Sequence, residues 1–160
     1  CPKDMREDDY NEMVAKHNPE YILMDQKFHS VEGGPKKIEA CDLFSKKKQF
    51  IHVKNKGKSA QLSHLFAQGK ISAQCFISDE AYRKQVADRV NNYFGHLIFD
   101  YKNKPAPDEY EVIYVIIDKN ASAVVDTLPF FSLVNLMLAV QELSRMRVKC
   151  SVKIVAKKLE

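Results

Sequence analysis

The sequence predicts a mixed α/β domain in which a three-stranded antiparallel meander is extended by further strands and packed by helices. Two observations support this prediction. Runs of strand-forming residues separated by turn signals fill residues 21–55. Over the rest of the chain, apolar residues at helical spacing alternate with strand-like runs. The predicted order is α-β-β-β-α-α-β-α-β, within a single domain spanning residues 1–160.

The first half of the chain contains the predicted meander. Residues 7–17 are predicted to form a helix that Asp8 or Asp9 caps. Three strands follow, with a glycine turn after the first and a lysine-rich turn after the second; they cover residues 21–29, 37–44 and 49–55. A helix is then predicted from Ser59, which can cap it, to Gly69, which can end it.

The second half predicts two helices and two strands. Residues 78–94 have the pattern of a helix with Ser78 or Asp79 as its cap. Residues 110–117 are an almost continuous β-rich run, which is typical of a strand buried on both faces. Residues 128–146 are apolar nearly all round, which predicts a deeply buried helix, and residues 148–155 predict a closing strand.

Composition limits the classes of protein to consider. The net charge of +4 is compatible with a nucleic-acid partner. No stretch is long and apolar enough to span a membrane, so we expect no membrane partner. The four cysteines form no paired motif, which argues against a zinc knuckle and favours a reduced, cytoplasmic setting. Because the chain starts at Cys1 rather than at Met, we expect a fragment that contacts the remainder of a longer protein.

The lysine-rich turn fixes the expected register of the second hairpin. If this turn centres on Lys47, Asp42 lies opposite His52 and Ala40 lies opposite Lys54. Side chains of opposed residues share a face of the sheet. The sequence therefore predicts that Asp42 and His52 lie side by side, with Lys54 one step further along the same face.

The glycine turn fixes the expected register of the first hairpin. If it centres between the glycines at 33 and 34, Asp25 lies opposite Asp42, and Lys27 lies opposite Ala40. Two rows would then cross the three strands on one face: Asp25, Asp42 and His52, followed by Lys27, Ala40 and Lys54. A slip of one residue in either hairpin would destroy this alignment.

Such a row has the composition of a metal-dependent catalytic site. Two carboxylates and an imidazole, from Asp25, Asp42 and His52, could hold a divalent Mg²⁺ or Mn²⁺ ion that activates water. His52 would serve as ligand or base, and Lys54 would stabilise charge that develops on a phosphate. Glu12 on the first helix is a further candidate carboxylate. Each residue also has an ordinary structural explanation: Asp42 can precede a turn, and His52 can be a hydrogen-bonded histidine within the sheet.

Other polar residues around the meander are candidates for supporting roles. The lysines would contact nucleic-acid phosphates; they are Lys27, Lys46, Lys47, Lys48, Lys56 and Lys58. A solvated charged face explains them equally well. Three side chains of the following helix could support the site from behind, or simply form a polar helix face: Gln61, Ser63 and His64.

At these residues the chain resembles the restriction-endonuclease-like superfamily, the PD-(D/E)xK nucleases. That core is a helix, a three-stranded meander, a helix and a further strand, with an Asp on the second strand and a (D/E)xK motif on the third. Asp42 and Lys54 match the Asp and the Lys. His52 stands in place of the acidic residue, which leaves open whether the chain is an enzyme.

A second resemblance is to a sporadically distributed family of uncharacterised bacterial proteins. It is based on residues 38–44, 50–69 and 71–76. Members are longer than this chain, which would correspond to their C-terminal part, and their patchy occurrence suggests mobile elements and defence against phage.

These observations favour a metal-dependent nuclease acting on phosphodiesters, with DNA as the expected substrate. One alternative is a non-catalytic nucleic-acid-binding domain on the same fold, and another is a regulatory or protein-interaction domain. A homodimer is compatible with all three. Convergence of Asp42, His52 and Lys54 in a concave site would favour the enzyme, and divergence would favour the alternatives.

Overall fold

The computed structural model describes residues 6–24, 27–28, 38–119 and 123–156. These residues form a mixed five-stranded sheet with helices on both faces, and a separate two-stranded ribbon. The predicted α/β class is confirmed at this level. The helices are α1 (Glu7–His17), α2 (Ser59–Ser78), α3 (Glu80–Phe94), the single-turn α4 (Val124–Thr127) and α5 (Phe130–Arg145). The strands are β1 (Tyr21–Leu23), β2 (Lys27–Phe28), β3 (Ile38–Glu39), β4 (Leu43–Ser45), β5 (Gln49–Asn55), β6 (Glu111–Asp118) and β7 (Lys149–Ala156).

The main sheet changes direction at its central strand. Its strand order is β1-β4-β5-β6-β7. The first three strands are antiparallel, whereas β6 is parallel to β5 and β7 is parallel to β6. Parallel neighbours require a long crossover, which α2 and α3 provide between β5 and β6. None of the helices in the described ranges is both long and apolar enough to cross a bilayer.

Two hydrophobic cores lie on opposite faces of this sheet. The larger core contains Phe44 and Phe50 of the meander together with residues of α2, α3 and α5. The smaller contains Leu43 and Ile51, and α1 covers it with side chains that include Val14. Because successive strand residues point to opposite faces, β4 and β5 contribute alternately to the two cores.

The second hairpin has the predicted register and the first does not. Phe44 pairs with Phe50, as expected for a turn centred on Lys47. In contrast, Leu23 pairs with Leu43, and Lys27 pairs with Glu39 rather than with Ala40. The expected first-hairpin register was therefore wrong by one residue.

The meander is also more broken than predicted. Its first two predicted strands are each interrupted, and the inner pieces, β2 and β3, form the separate ribbon instead of extending the main sheet. Ala40 lies between β3 and β4 and is buried. The predicted row of Lys27, Ala40 and Lys54 is therefore not formed, and Asp25 of the other row lies outside the described residues.

Helix α2 does not end at Gly69 as expected, but continues to Ser78. Gly69 is buried in the middle of the helix, where a Cβ atom would lie only 2.5 Å from Cε1 of Tyr114. The Tyr114 hydroxyl donates a hydrogen bond to the carbonyl of Phe66, one turn earlier in α2. Glycine is thus needed here for close helix–sheet packing rather than for helix termination.

The termini of α1 and the burial of α5 also differ from expectation. Arg6 is the N-cap of α1, so Asp8 and Asp9 lie in the first helical turn rather than at the cap. Only one stripe of α5 packs against the core, because this helix lies in the outer layer. Apart from the half-buried Leu133, its other apolar side chains are exposed, with Phe130 and Phe131 at 72% each. The prediction that α5 is deeply buried was wrong.

The contact at Gly69 predicts an unusual response to alanine. Within a helix, Gly→Ala normally stabilises by about 1 kcal/mol. We expect Gly69→Ala instead to lower the free energy of unfolding by about 1–3 kcal/mol, because the new methyl group overlaps the Tyr114 ring. Urea denaturation would measure this, with the exposed Gln74→Ala in the same helix as a control that changes little. A stabilised Gly69→Ala protein would contradict the proposed packing.

Candidate functional site

A cavity of about 200 Å³ lies where α1, α2 and the C-terminal end of β5 meet. Both Asp42 and Lys54 line it, so the structure brings these two predicted residues together. Among the described residues, the other polar side chains around it are Glu7, Asp8, Asn11, Glu12, Glu39 and Gln68. This cavity is the candidate site.

Asp42 reaches the cavity from the segment just before β4. Its Oδ2 atom accepts a hydrogen bond of 2.7 Å from the backbone N–H of Val53, which fixes the carboxyl group against β5. Burial raises its pKa to about 6, and the carboxylates of Glu39 and Glu7 add to that rise. The Val53 hydrogen bond and the charge of Lys54 act in the opposite direction. Burial and the neighbouring carboxylates therefore disfavour the ionised form of Asp42.

Lys54 reaches the cavity from the end of β5. Its Nζ atom donates to Oε2 of Glu7 at 2.7 Å, and the backbone N–H of Asn55 donates to Oε1 of the same residue at 2.9 Å. The first residue of α1 is thus bound through both oxygens to the end of β5. The side chains of Lys54 and Glu7 are 33% and 26% exposed, so this ion pair is accessible from the cavity.

Helix α1 supplies one wall of the cavity through residues spaced one turn apart. Asp8 and Glu12 form one i,i+4 pair, and Glu7 and Asn11 form another. Asn11 is only 3% exposed, and its amide oxygen has no hydrogen-bond partner among the described residues. Of these residues, only Glu12 was a sequence-based candidate. The spacing of polar residues at one-turn intervals along the predicted helix is the sequence feature that could have identified Glu7, Asp8 and Asn11 as well.

The predicted histidine lies elsewhere. His52 is 3% exposed, and its Nε2 lies 3.3 Å from Oγ of Ser72 in α2, within hydrogen-bonding distance. Burial lowers its pKa to about 4, so the ring is uncharged at neutral pH. His52 is not among the residues that line the cavity, because α2 covers this part of β5. The structure therefore does not bring His52 together with Asp42 and Lys54 in the cavity.

The predicted phosphate-binding lysines lie at both ends of β5 rather than in one patch. Lys46, Lys47 and Lys48 belong to the β4–β5 turn, roughly 20 Å from the cavity end of a seven-residue strand. Lys48 forms an ion pair with Glu109. The side chain of Lys27 lies outside the described part of the structure.

At the cavity end, Lys56 pairs with Asp118 at 2.8 Å, and Lys58 is exposed at the start of α2. Neither of these two lysines lines the cavity.

The three residues expected to support the site from α2 do not line the cavity. Gln61 accepts a hydrogen bond from the backbone N–H of Lys58, and His64 is exposed. Ser63 accepts a 2.7 Å hydrogen bond from Asn135 of α5 and so joins two helices. Gln68, further along α2, is the residue of this helix that reaches the cavity.

The side chains around the cavity that could bind a metal ion offer carboxylate and amide oxygens as ligands. Within the described ranges, no group of three or more His, Cys, Asp or Glu side chains is arranged to hold a metal ion. Mg²⁺ is commonly bound through only one or two carboxylates, with waters and substrate phosphate completing an octahedron. The cavity fits such a partly hydrated ion better than zinc, which prefers nitrogen and sulfur ligands.

A family model described as a family of unknown function, DUF6119, matches residues 1–156. The chain belongs to this family. The predicted membership of an uncharacterised family is thereby confirmed, and the DUF6119 match includes every residue of the cavity. Neither the curated proteins nor the solved structures gave a significant match.

The raised pKa of Asp42 predicts how stability depends on pH. The folded protein takes up a proton at Asp42 near pH 6, whereas the unfolded chain does so near 3.8. This carboxyl therefore favours folding at low pH, and the advantage is lost as pH rises from about 4 through about 6. In Asp42→Asn, the amide can still accept from Val53 without a charge. We expect the free energy of unfolding of Asp42→Asn minus that of wild type to be about 1–3 kcal/mol larger at pH 8 than at pH 4.

Urea denaturation of both proteins from pH 4 to pH 8 would measure this difference. His52 acts in the opposite direction, because its lowered pKa makes the fold lose stability as pH falls from about 6.5 towards 4. Since His52 is present in both proteins, its contribution cancels in the comparison. A difference between the two proteins that stays constant with pH would contradict the burial of an uncompensated charge at Asp42.

Proposed function

We propose that this domain is a divalent-cation-dependent nuclease that cleaves phosphodiester bonds of DNA in the cavity between α1, α2 and the end of β5. The observation that supports it is that Asp42, which immediately precedes β4, and Lys54 of β5 line one cavity together with the carboxylates of α1. Carboxylates suit a hard cation, and a lysine suits a phosphate oxygen. Both would stabilise the charge that develops on the phosphate during phosphodiester hydrolysis.

The charges of the cavity explain the requirement for a cation. Among the described residues that line it, five are acidic and Lys54 is basic. A nucleic-acid phosphate would be repelled by this arrangement unless a cation entered as well. A divalent cation bound there would polarise the phosphate and lower the pKa of a bound water. Asp42, with its pKa near 6, is ionised and available to bind the cation at neutral pH.

Lys54 is placed to stabilise the negative charge that develops on the phosphate. In the structure its ammonium contacts Glu7 at 2.7 Å, in an ion pair that is about one third exposed on the lysine side. Partly exposed ion pairs of this kind contribute only about 0–1 kcal/mol. Lys54 can therefore exchange Glu7 for a phosphate oxygen at little cost, while Glu7 keeps its hydrogen bond to the backbone of Asn55.

The resemblance to the PD-(D/E)xK nucleases supports the same proposal. Helix α1, the meander of β1, β4 and β5, helix α2 and strand β6 follow one another in the order of that core. Asp42 and Lys54 occupy the positions of its Asp and Lys. His52 is buried where the acidic residue would stand. In our proposal, Glu39 and the acidic residues of α1 supply the missing carboxylate.

A cleavage assay tests the proposal. Single- and double-stranded DNA and RNA would be incubated with the protein and Mg²⁺, Mn²⁺ or EDTA. We expect cleavage of DNA with Mg²⁺ or Mn²⁺ and none with EDTA. We expect Lys54→Ala to reduce the rate by about 100-fold or more, because removing one group that stabilises the transition state has effects of this size.

Lys56→Ala is the matched control. This lysine lies two residues further along the chain and is also ion-paired, but to Asp118 outside the cavity. Its loss should change cleavage by much less than the loss of Lys54. Equal losses in both variants would indicate a general charge effect, and the absence of cleavage in wild type would refute the nuclease. Binding of DNA without cleavage would favour the non-catalytic binding domain.

A further inference from the structure

We infer that Asn11 is a direct oxygen ligand of the divalent cation in this cavity, which Asp42 also lines. The inference deepens the proposed function, since it relies on that proposal for the class of ion. It assigns a specific role to a residue of α1 that neither the sequence motif nor the family match identifies.

The burial of Asn11 is the first observation. It is 3% exposed, although a helix in this position could cover the sheet with an apolar residue, as α1 does at Val14. Its Oδ1 atom is inaccessible to solvent and has no hydrogen-bond partner among the described residues. Buried polar atoms are normally paired, so a bound group is the natural partner of this oxygen.

The surroundings of Asn11 indicate which kind of group that is. The cavity that it lines is rich in carboxylates, among them those of Asp8, Glu12 and Asp42. Amide and carboxylate oxygens are all acceptors, so they cannot satisfy one another, and an anion would be repelled. The lysine of the cavity already donates to Glu7. A cation is the ligand that can satisfy several of these oxygens at once.

The ligand set also indicates the class of cation. Neither histidine nor cysteine is among the described residues that line the cavity, which disfavours zinc and other thiophilic ions. Asp42 uses Oδ2 for the Val53 N–H, which leaves its other oxygen for the ion. One amide oxygen and one carboxylate oxygen would leave the remaining octahedral positions to water and to a phosphate oxygen of the substrate. The geometry points to Mg²⁺ or Mn²⁺.

Titration of the whole protein with Mn²⁺, followed by the electron paramagnetic resonance signal of the free ion, tests the inference without any substrate. We expect wild type to bind one Mn²⁺ and Asn11→Ala to bind it at least 10-fold more weakly. Asn11→Asp, which keeps an oxygen at the same position, should bind at least as tightly as wild type. Asn92→Ala, at an exposed site on α3, is the matched control and should bind as wild type does.

A thermal denaturation curve of each variant without metal shows that it is folded. If Asn11→Ala did not fold, Asn11→Asp would still decide, because tenfold weaker binding by this variant would overturn the inference. Wild-type affinity in Asn11→Ala, or no binding of Mn²⁺ to wild type, would also overturn it. Mn²⁺ binding that depends on Asn11, without cleavage of any nucleic acid, would uphold the inference and refute the nuclease. Metal-dependent cleavage that is unchanged in Asn11→Ala would support the nuclease and overturn the inference about Asn11.

Discussion

The pairing of strand β5 on both of its edges is the constraint on which the rest of the structure depends. It is antiparallel to β4 and parallel to β6, so it joins the meander to the parallel half of the sheet. Its side chains alternate between two cores, with Phe50 in the larger and Ile51 in the smaller. A slip of one residue would exchange the two faces and is therefore strongly disfavoured. Because all seven residues of β5 pair with β6, the end of the strand, and with it Lys54, is held in a fixed position.

The candidate site lies where this fixed strand end meets elements that are distant in sequence. Glu7 bonds to both Lys54 and Asn55, which holds the start of α1 against β5 and orients the polar face of the helix towards Asp42. Two features of the resulting cavity are unfavourable without a ligand: the raised pKa of Asp42, and the buried amide oxygen of Asn11, which has no hydrogen-bond partner among the described residues. Perturbed groups of this kind are concentrated at functional sites. A bound cation would stabilise both groups, and we therefore propose that the cavity is the functional site.

Some of this arrangement could be predicted from the sequence. The short turn around Lys47 was sufficient to set the register of the second hairpin. The expected register of the first hairpin was displaced by one residue, because it was set only from the predicted turn at two adjacent glycines. The packing of α2 over the sheet buries His52 of β5 and requires Gly69 opposite Tyr114 of β6, and it depends on contacts between distant residues. The docking of α1 against the end of β5 also depends on contacts between distant residues, so the position of Asn11 in the cavity was not predicted.

A crystal structure of the protein with Mn²⁺, in which an anomalous difference map locates manganese, would show directly whether the cavity between α1, α2 and β5 is a divalent-cation site. We expect a single manganese peak within about 2.0–2.4 Å of oxygens of Asp42 and Asn11, with ordered waters on its other sides. An empty cavity at saturating Mn²⁺, or a manganese ion bound only elsewhere on the protein, would contradict it.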